Sequence, residues 1–284
     1  MKTIAALKQE LESTQGLGDI IEVLKTAATI QFRSFQLKEK PNEEFSLAAQ
    51  RCFSILSGRD LQHPYLFERP GLPSIILIVT SDEGFLGELN TLLTNAGIDQ
   101  RKSPKDEIVI LGERGAKYLE DMNLSFKFFP GFGEEISHEE LASIRNYLLE
   151  TYLKGYGRVL IVYPKFVSLT VQKIEVLSLL PAVVSGLKEK TQKTFLTDEL
   201  LLEPSLRKVL DVLIELWAAF KLLEVFWSSK QSEYAARIMH LEGSTQELSL
   251  LNQRLAFQYF RGVHTLRDRS IREISASKLI LEKK

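Results

Sequence analysis

From Leu206 onward, apolar side chains recur at alternating spacings of four and three. They are Leu206, Leu210, Leu213, Trp217 and Phe220, then Trp227, Tyr234, Ile238, Leu241, Leu248, Leu255, Tyr259 and Leu266. Glu224, Gln231, Thr245, Asn252 and Gly262 stand on the same track. A repeat held over this length is the seam of a coiled coil, in which one helix face meets another helix. No proline follows Pro204, so nothing forces the helix to stop. At 1.5 Å per residue, a helix from Leu206 to about Ser275 reaches roughly 100 Å. That exceeds what a compact domain of this chain's size can hold, so the helix is expected to project as a shaft.

Its natural partner lies at the other end of the chain. Ile4, Leu7, Leu11, Ile21, Ala28, Phe32 and Phe35 fall on one four–three track, with Leu17, Ile20, Leu24 and Ala27 beside it. Gly16 and Gly18 weaken this helix locally, by roughly 1 kcal/mol each against alanine. Pro41 is expected to break it, and Asn42 to cap a second helix from Glu43 to about Leu56. The expected domains are 1–57 and 203–284 as coiled-coil helices and 74–190 as an α/β domain. The seams are best buried against each other, antiparallel, with the α/β domain inserted at one end.

Between the helices the pattern changes period. Gly58, Pro64, Pro70, Gly71 and Pro73 punctuate a linker. The unbroken apolar run Ile75-Ile76-Leu77-Ile78-Val79 reads as a strand buried on both faces, as in a parallel sheet. Further strands are expected at Glu107–Leu111, Ser125–Phe129, Arg158–Tyr163 and Val171–Leu179. Helices are expected near Leu86–Ala96, Ala116–Met122 and Ser137–Tyr152, with Ser137 as cap and Glu140 as its box partner. Leu180 to Leu202 reads as an irregular connection, with Glu203-Pro204 opening the last helix. The alternation argues a small Rossmann-like α/β domain with a largely parallel sheet.

Composition excludes several functions. The net charge of −1 on 284 residues gives no overall pull toward nucleic acid or an anionic membrane. The single cysteine, Cys52, leaves no internal disulfide and no cysteine metal cluster, and reads as a small buried residue. No apolar run approaches the ~20 residues of a membrane span, and the start is charged too early for a signal peptide. Charge is uneven, however. Arg254, Arg261, Arg267, Arg269 and Arg272 make the end of the last helix basic. Two readings stay open there: a solvated helix end whose dipole favours cations, and a docking surface for an acidic partner.

The segment Ser81-Asp82-Glu83-Gly84-Phe85-Leu86-Gly87-Glu88-Leu89-Asn90 sits where a phosphate-binding turn would lie. It lacks the Walker lysine, carries Asn90 in place of the third dinucleotide glycine, and places Glu83 and Glu88 where phosphate needs donors. It reads as a structural turn. His63, His138, His240 and His264 show no ligand spacing, the acidic pairs Glu43-Glu44, Glu134-Glu135 and Glu139-Glu140 read as solvated helix starts, and no GxSxG motif is present. No catalytic constellation, cofactor site or metal site is expected.

Several segments together resemble the gamma subunit, or central rotor shaft, of F-type ATP synthases. Asp19-Ile20-Ile21-Glu22-Val23-Leu24-Lys25-Thr26-Ala27-Ala28 is similar to the family's first-helix signature, and Ser81 to Asn90 to its SDxGLCGxxN turn. Tyr163-Pro164-Lys165-Phe166-Val167-Ser168, then Gln172 and Leu179-Leu180-Pro181, resemble its late strand pair. Glu203-Pro204 resembles the entry to its final helix, and Ser232-Glu233-Tyr234-Ala235-Ala236-Arg237 its SExxAR motif. The chain departs from the family's NxxRQAxITxEI ending, where it reads Arg261 to Ile274, and from the Leu-Cys pair at Phe85-Leu86.

The resemblance implies a non-catalytic rotor stalk that transmits torque between an ion-driven membrane ring and a nucleotide-binding ring. Its implied partners are the alpha and beta subunits of the catalytic ring, a small epsilon-type stalk subunit and the membrane rotor ring, with no direct membrane span. The implied place is peripheral, on the cytoplasmic face of a bacterial plasma membrane. Lys25, Arg33, Arg237, Arg254, Arg261, Arg267, Arg269 and Arg272 are the expected partner contacts. The alternatives are a gamma-like adaptor of another ATPase motor and a small α/β nucleotide-binding enzyme.

Overall fold

The structure, a computed structural model, describes residues 3–37, 44–45, 48–49, 51–52, 63–66, 69–133, 137–182 and 203–281. The elements run α1 (Ile4–Leu37), β1 (Ser74–Val79), α2 (Leu89–Asp99), β2 (Glu107–Leu111), α3 (Glu113–Asp121), β3 (Lys127–Phe129), α4 (His138–Leu153), β4 (Arg158–Ser168), β5 (Val171–Leu180) and α5 (Leu206–Leu281). The expected Asn42 cap, most of the helix from Glu43 to Leu56, the Glu134-Glu135 pair and the connection from 183 to 202 lie outside the described residues. Among those described there, Cys52 is exposed, which corrects its reading as buried. The chain divides into two compact units, one of residues 1–31 with 238–284 and one of residues 32–237.

In the first unit α1 and α5 run antiparallel. Ile4 lies against Gly262, Thr14 donates to Asn252, and Lys25 meets Glu242 at 3.1 Å. From the first contact to the second, α1 advances ten residues while α5 retreats ten. From the second to the third the steps are eleven and ten. Two helices of equal rise therefore stay in step, as knobs-into-holes packing requires. On α1 the covered positions include Ile4, Leu7, Leu11, Thr14, Gly18, Ile21, Lys25 and Ala28, with Glu10 and Thr29 beside them; on α5 they include Ile238, Leu241, Thr245, Leu248, Asn252, Leu255, Tyr259 and Gly262. The four–three tracks read from the sequence are the seams. Leu266 is exposed, because Gly262 already faces the first helical residue of α1 and Leu266 falls past the end of the described pair.

The second unit centres on a five-stranded sheet in the order β3-β2-β1-β4-β5. β1 pairs parallel with β2 and β4, and β2 with β3. β5 returns antiparallel on β4 as a hairpin, so the sheet is mixed. Residue parity sorts the buried strands, as a period of two demands. Ile75, Leu77, Val79, Val109, Leu111, Val159 and Ile161 face α4 and part of α5. Ile76, Ile78, Ile108, Ile110 and Val162 face α2 and α3.

Here α5 departs from the expected arrangement. Ile214, Trp217, Ala218, Leu222, Val225 and Phe226 are packed into the sheet's core rather than against α1. Of these only Trp217 is on the expected four–three track; the helix here buries a wider apolar face than that track, and an apolar face does not say by what it is covered. The helix partner begins further on, where Phe35 lies against Trp227 with ring centroids 4.1 Å apart and the planes tilted by 31°, and meets Tyr234 edge-on at 5.9 Å.

Other differences are local. β3 starts at Lys127 and α2 at Leu89, later than expected. Ser137 caps α4 by accepting from the Glu139 amide, so the capping box with Glu140 is not formed.

Candidate functional site

In a doubly wound sheet the ligand crevice opens at the carboxyl ends of the strands, where the connections part to opposite sides. Here that point lies between β1 and β4, and the turn from Ser81 to Glu88 stands over it. Ser81, Asp82 and Glu83 of the turn are engaged with the chain itself. The Ser81 amide donates to Asn90 Oδ1 at 3.1 Å, and the Glu83 amide to Ser81 Oγ at 3.1 Å. Asp82 Oδ1 accepts from the amides of Glu113 at 2.8 Å and Gly131 at 3.1 Å, tying the start of α3 to the loop after β3. A Cβ on Gly131 would sit 2.5 Å from Asp82 Oδ2, so this approach requires glycine. Phe85 and Gly87 both take positive φ, 62° and 58°.

The crevice is filled by α5. Ser232 Oγ donates to the Pro164 carbonyl at 3.0 Å, and the Phe166 amide donates to Ser228 Oγ at 3.0 Å. Arg237 closes the arrangement: one guanidinium nitrogen lies 2.8 Å from Glu233 and 2.8 Å from Glu83, while Nε donates to the Gly84 carbonyl at 3.4 Å. Lys230 meets Glu233 from one turn earlier at 3.0 Å. Arg237 and Glu233 have only 8% and 9% of their side chains exposed, whereas Glu83 has 67%. The Arg237–Glu233 pair is thus the buried one, and the arm to Glu83 is screened by solvent. The two cavities beside these groups measure about 20 Å³ each, room for about one water.

The sequence-predicted contact residues separate into three situations. Arg237 is inside this cluster. Lys25 is clasped between helices, 2.7 Å from Glu22 and 3.1 Å from Glu242. Its ammonium is held above its ordinary pKa by the bonds to Glu22 and then Glu242, and Glu242 is lowered by Lys25 and Gln246. Arg33, Arg254, Arg261, Arg267, Arg269 and Arg272 are exposed; Arg269 pairs with Glu273 at 2.9 Å. Reading the sequence did not find the meeting of the Ser81–Asn90 turn with the Ser232–Arg237 motif. The one available signal was the Glu233/Arg237 spacing of four, which places both on one helix face.

Among the described residues no helix is long and apolar enough to cross a membrane, and no group of three or more His, Cys, Asp or Glu could hold a metal ion.

Paired terminal helices with a central mixed sheet are also found in solved rotary ATP synthases. A chain of the Euglena gracilis mitochondrial ATP synthase in rotational state 3 superposes with a TM-score of 0.71 at 16% identity, covering 98% of this chain and 94% of that one. A chain of the rotor of the same enzyme in rotational state 1 gives 0.65 at 17% identity, covering 93% and 98%. The family described as ATP synthase matches residues 3–270, and the chain belongs to it. Its relatives there are ATP synthase gamma chains: that of Dictyoglomus thermophilum is 26% identical over 267 residues, covering 91% of this chain and 90% of that one. That of Histophilus somni is 26% identical over 264 residues, covering 89% and 90%.

Proposed function

We propose that the chain is the central rotor stalk of a rotary F-type ATP synthase, turning inside a ring of alpha and beta subunits and carrying torque to or from a membrane rotor ring. The observation that carries this reading is a family match spanning residues 3–270, on a chain whose two ends form one registered antiparallel helix pair. Helices suit torque transmission because their hydrogen bonds are internal and their seam is continuously packed. Coupling follows if the pair meets each ring subunit differently, since only differential contact shifts a conformational equilibrium.

In this reading the chain is non-catalytic. What supports that is the filling of the switch-point crevice by the chain's own α5, with Arg237 committed to Glu233 and Glu83. Segments 1–57 and 203–284 supply the stalk helices, and segment 74–190 meets an epsilon-type subunit and the membrane ring. The complex stands on the cytoplasmic face of a bacterial plasma membrane. The exposed Arg33, Arg254, Arg261, Arg267, Arg269 and Arg272 meet acidic groups of the ring. Isolated surface ion pairs contribute only ~0–1 kcal/mol each, but several in a partly dehydrated collar act together.

The test is reconstitution with alpha and beta subunits and single-molecule observation of a bead fixed to this chain. ATP-driven unidirectional rotation is expected. A ring that assembles with the chain and hydrolyses ATP while the bead stays still would overturn the proposal.

A further inference from the structure

β4 and β5 run on past the rest of the sheet. β1 pairs with β4 only as far as Val162, so Tyr163 to Ser168 and the facing stretch of β5 form an overhanging hairpin. On its inner side α5 takes the place of a strand: the Phe166 amide donates to Ser228 Oγ, and Ser232 Oγ donates to the Pro164 carbonyl. Among the described residues no strand lies beyond β5, so its outer edge is open. The turn is held by its own bonds. The Val171 amide donates to Ser168 Oγ at 3.2 Å, and Gln172 Nε2 donates to the carbonyls of Ser168 and Leu169 at 3.3 and 2.9 Å. A tip already ordered loses little further freedom on binding.

Its side chains are those of an uncovered contact surface. Val167, Leu169 and Val171 at the tip are 58%, 38% and 51% exposed. Lys165 and Lys173 stand directly opposite each other on one face, and like charges so placed destabilise a ladder. Glu175 relieves Lys165, at 2.7 Å. Exposed Lys173 has no ion pair or hydrogen bond among the described residues. A lysine on an edge strand discourages pairing with another sheet. That role explains one charge, but not three bare aliphatic side chains beside it.

We propose that the hairpin, residues 163–176, is a docking surface for a protein partner that brings carboxylates to Lys173 and an apolar contact to Val167, Leu169 and Val171. An anionic membrane is the poorer match, because polybasic membrane segments use about 4–8 cations, and this face has one without a partner. The inference rests on the rotary reading only for the complex used to test it.

The test compares Lys173→Glu and Lys173→Arg with the parent chain, first alone and then assembled with the alpha, beta and epsilon-type subunits and the membrane ring. Alone, Lys173→Glu is expected to unfold at the same denaturant concentration as the parent or a higher one, because it sets an opposite charge across from Lys165. In the complex, a carbodiimide is expected to join Lys173 to a carboxylate of another subunit. Lys173→Glu should weaken the chain's affinity for the other subunits about tenfold at low salt, and Lys173→Arg should preserve it. An intact complex in which Lys173 cross-links only within its own chain, or in which Lys173→Glu binds as tightly as the parent, overturns the proposal and leaves the rotary reading standing. A lower unfolding midpoint for isolated Lys173→Glu also overturns it, by making Lys173 part of what holds the fold. So does binding of the parent chain, but not of Lys173→Glu, to phosphatidylcholine vesicles containing phosphatidylserine, which would make the partner a lipid.

Discussion

Replacing Arg237 by methionine tests the central claim about the crevice, that α5 is fixed there by a buried charge pair. The substitution keeps most of the apolar stem and removes the guanidinium. It leaves Glu233, 9% exposed, with Lys230 as its remaining cationic neighbour at 3.0 Å. Removing one partner of a buried pair costs about 3–5 kcal/mol. Lys230 keeps part of the compensation, and the lost arm to the exposed Glu83 adds at most ~1 kcal/mol. A loss of about 3 kcal/mol is therefore expected. For a unit of residues 32–237, each kcal/mol moves the melting temperature by about 2–4 °C, so the shift is roughly 6–12 °C. Calorimetry of Arg237→Met, Glu233→Gln and the double variant measures it. The double variant should be more stable than Arg237→Met, because it no longer buries an under-compensated carboxylate. A double variant that loses as much as the two single variants added together would refute the reasoning.

Two glycines in helices should respond to alanine with opposite signs. Gly18→Ala meets nothing within 4 Å and should raise stability by about 0.5–1 kcal/mol, whereas Gly97→Ala drives its Cβ to 2.3 Å from Ile78 Cδ1 and should lower it by about 1–3 kcal/mol, both read from denaturant midpoints. Asp106 is subject to burial, which acts to raise its pKa, but the amides of Ser74, Ser103 and Lys102 outweigh this and hold it below the usual value. A lowered folded-state pKa gives stability that is present above the unfolded value and lost as pH falls through the folded one, so Asp106→Asn should flatten the acid limb of the stability curve. Burial, joined by the carboxylates of Glu107 or Glu175, pushes Tyr147, Tyr156 and Tyr163 up to about 12. These raised values stabilise the fold below pH ~10 and are lost as pH rises toward ~12, which phenolate absorbance followed alongside circular dichroism will show. Reversing Arg267 and Arg269 to glutamate should weaken assembly or coupling in a salt-dependent way and leave the isolated chain folded; full coupled activity would make these charges a solvated helix end.

The sequence by itself determined what its periods encode. The four–three tracks of α1 and of α5 from Ile238 to Gly262 are the observed seams, and the apolar runs at β1, β2 and β4 are the buried strands. Period and apolarity report which side of an element is covered, and long regular stretches report it without ambiguity. The identity of the cover is not a periodic property, and the tertiary structure decided it. Between Leu210 and Trp227 the track read from the sequence shares only Trp217 with the face buried in the sheet's core; Ile214, Ala218, Leu222, Val225 and Phe226, which the track passes by, are the residues packed there. Likewise, nothing in Ser81–Asn90 or in Ser232–Arg237 taken alone says that Arg237 reaches Glu83 and Gly84 across about 150 positions of sequence. Lys25 and Arg237 read as contacts for partner subunits in the sequence, because charge is visible there and distance is not. Folding brought Glu242 to one and kept Glu233 beside the other in a place water barely reaches, where a charge is retained only with a partner.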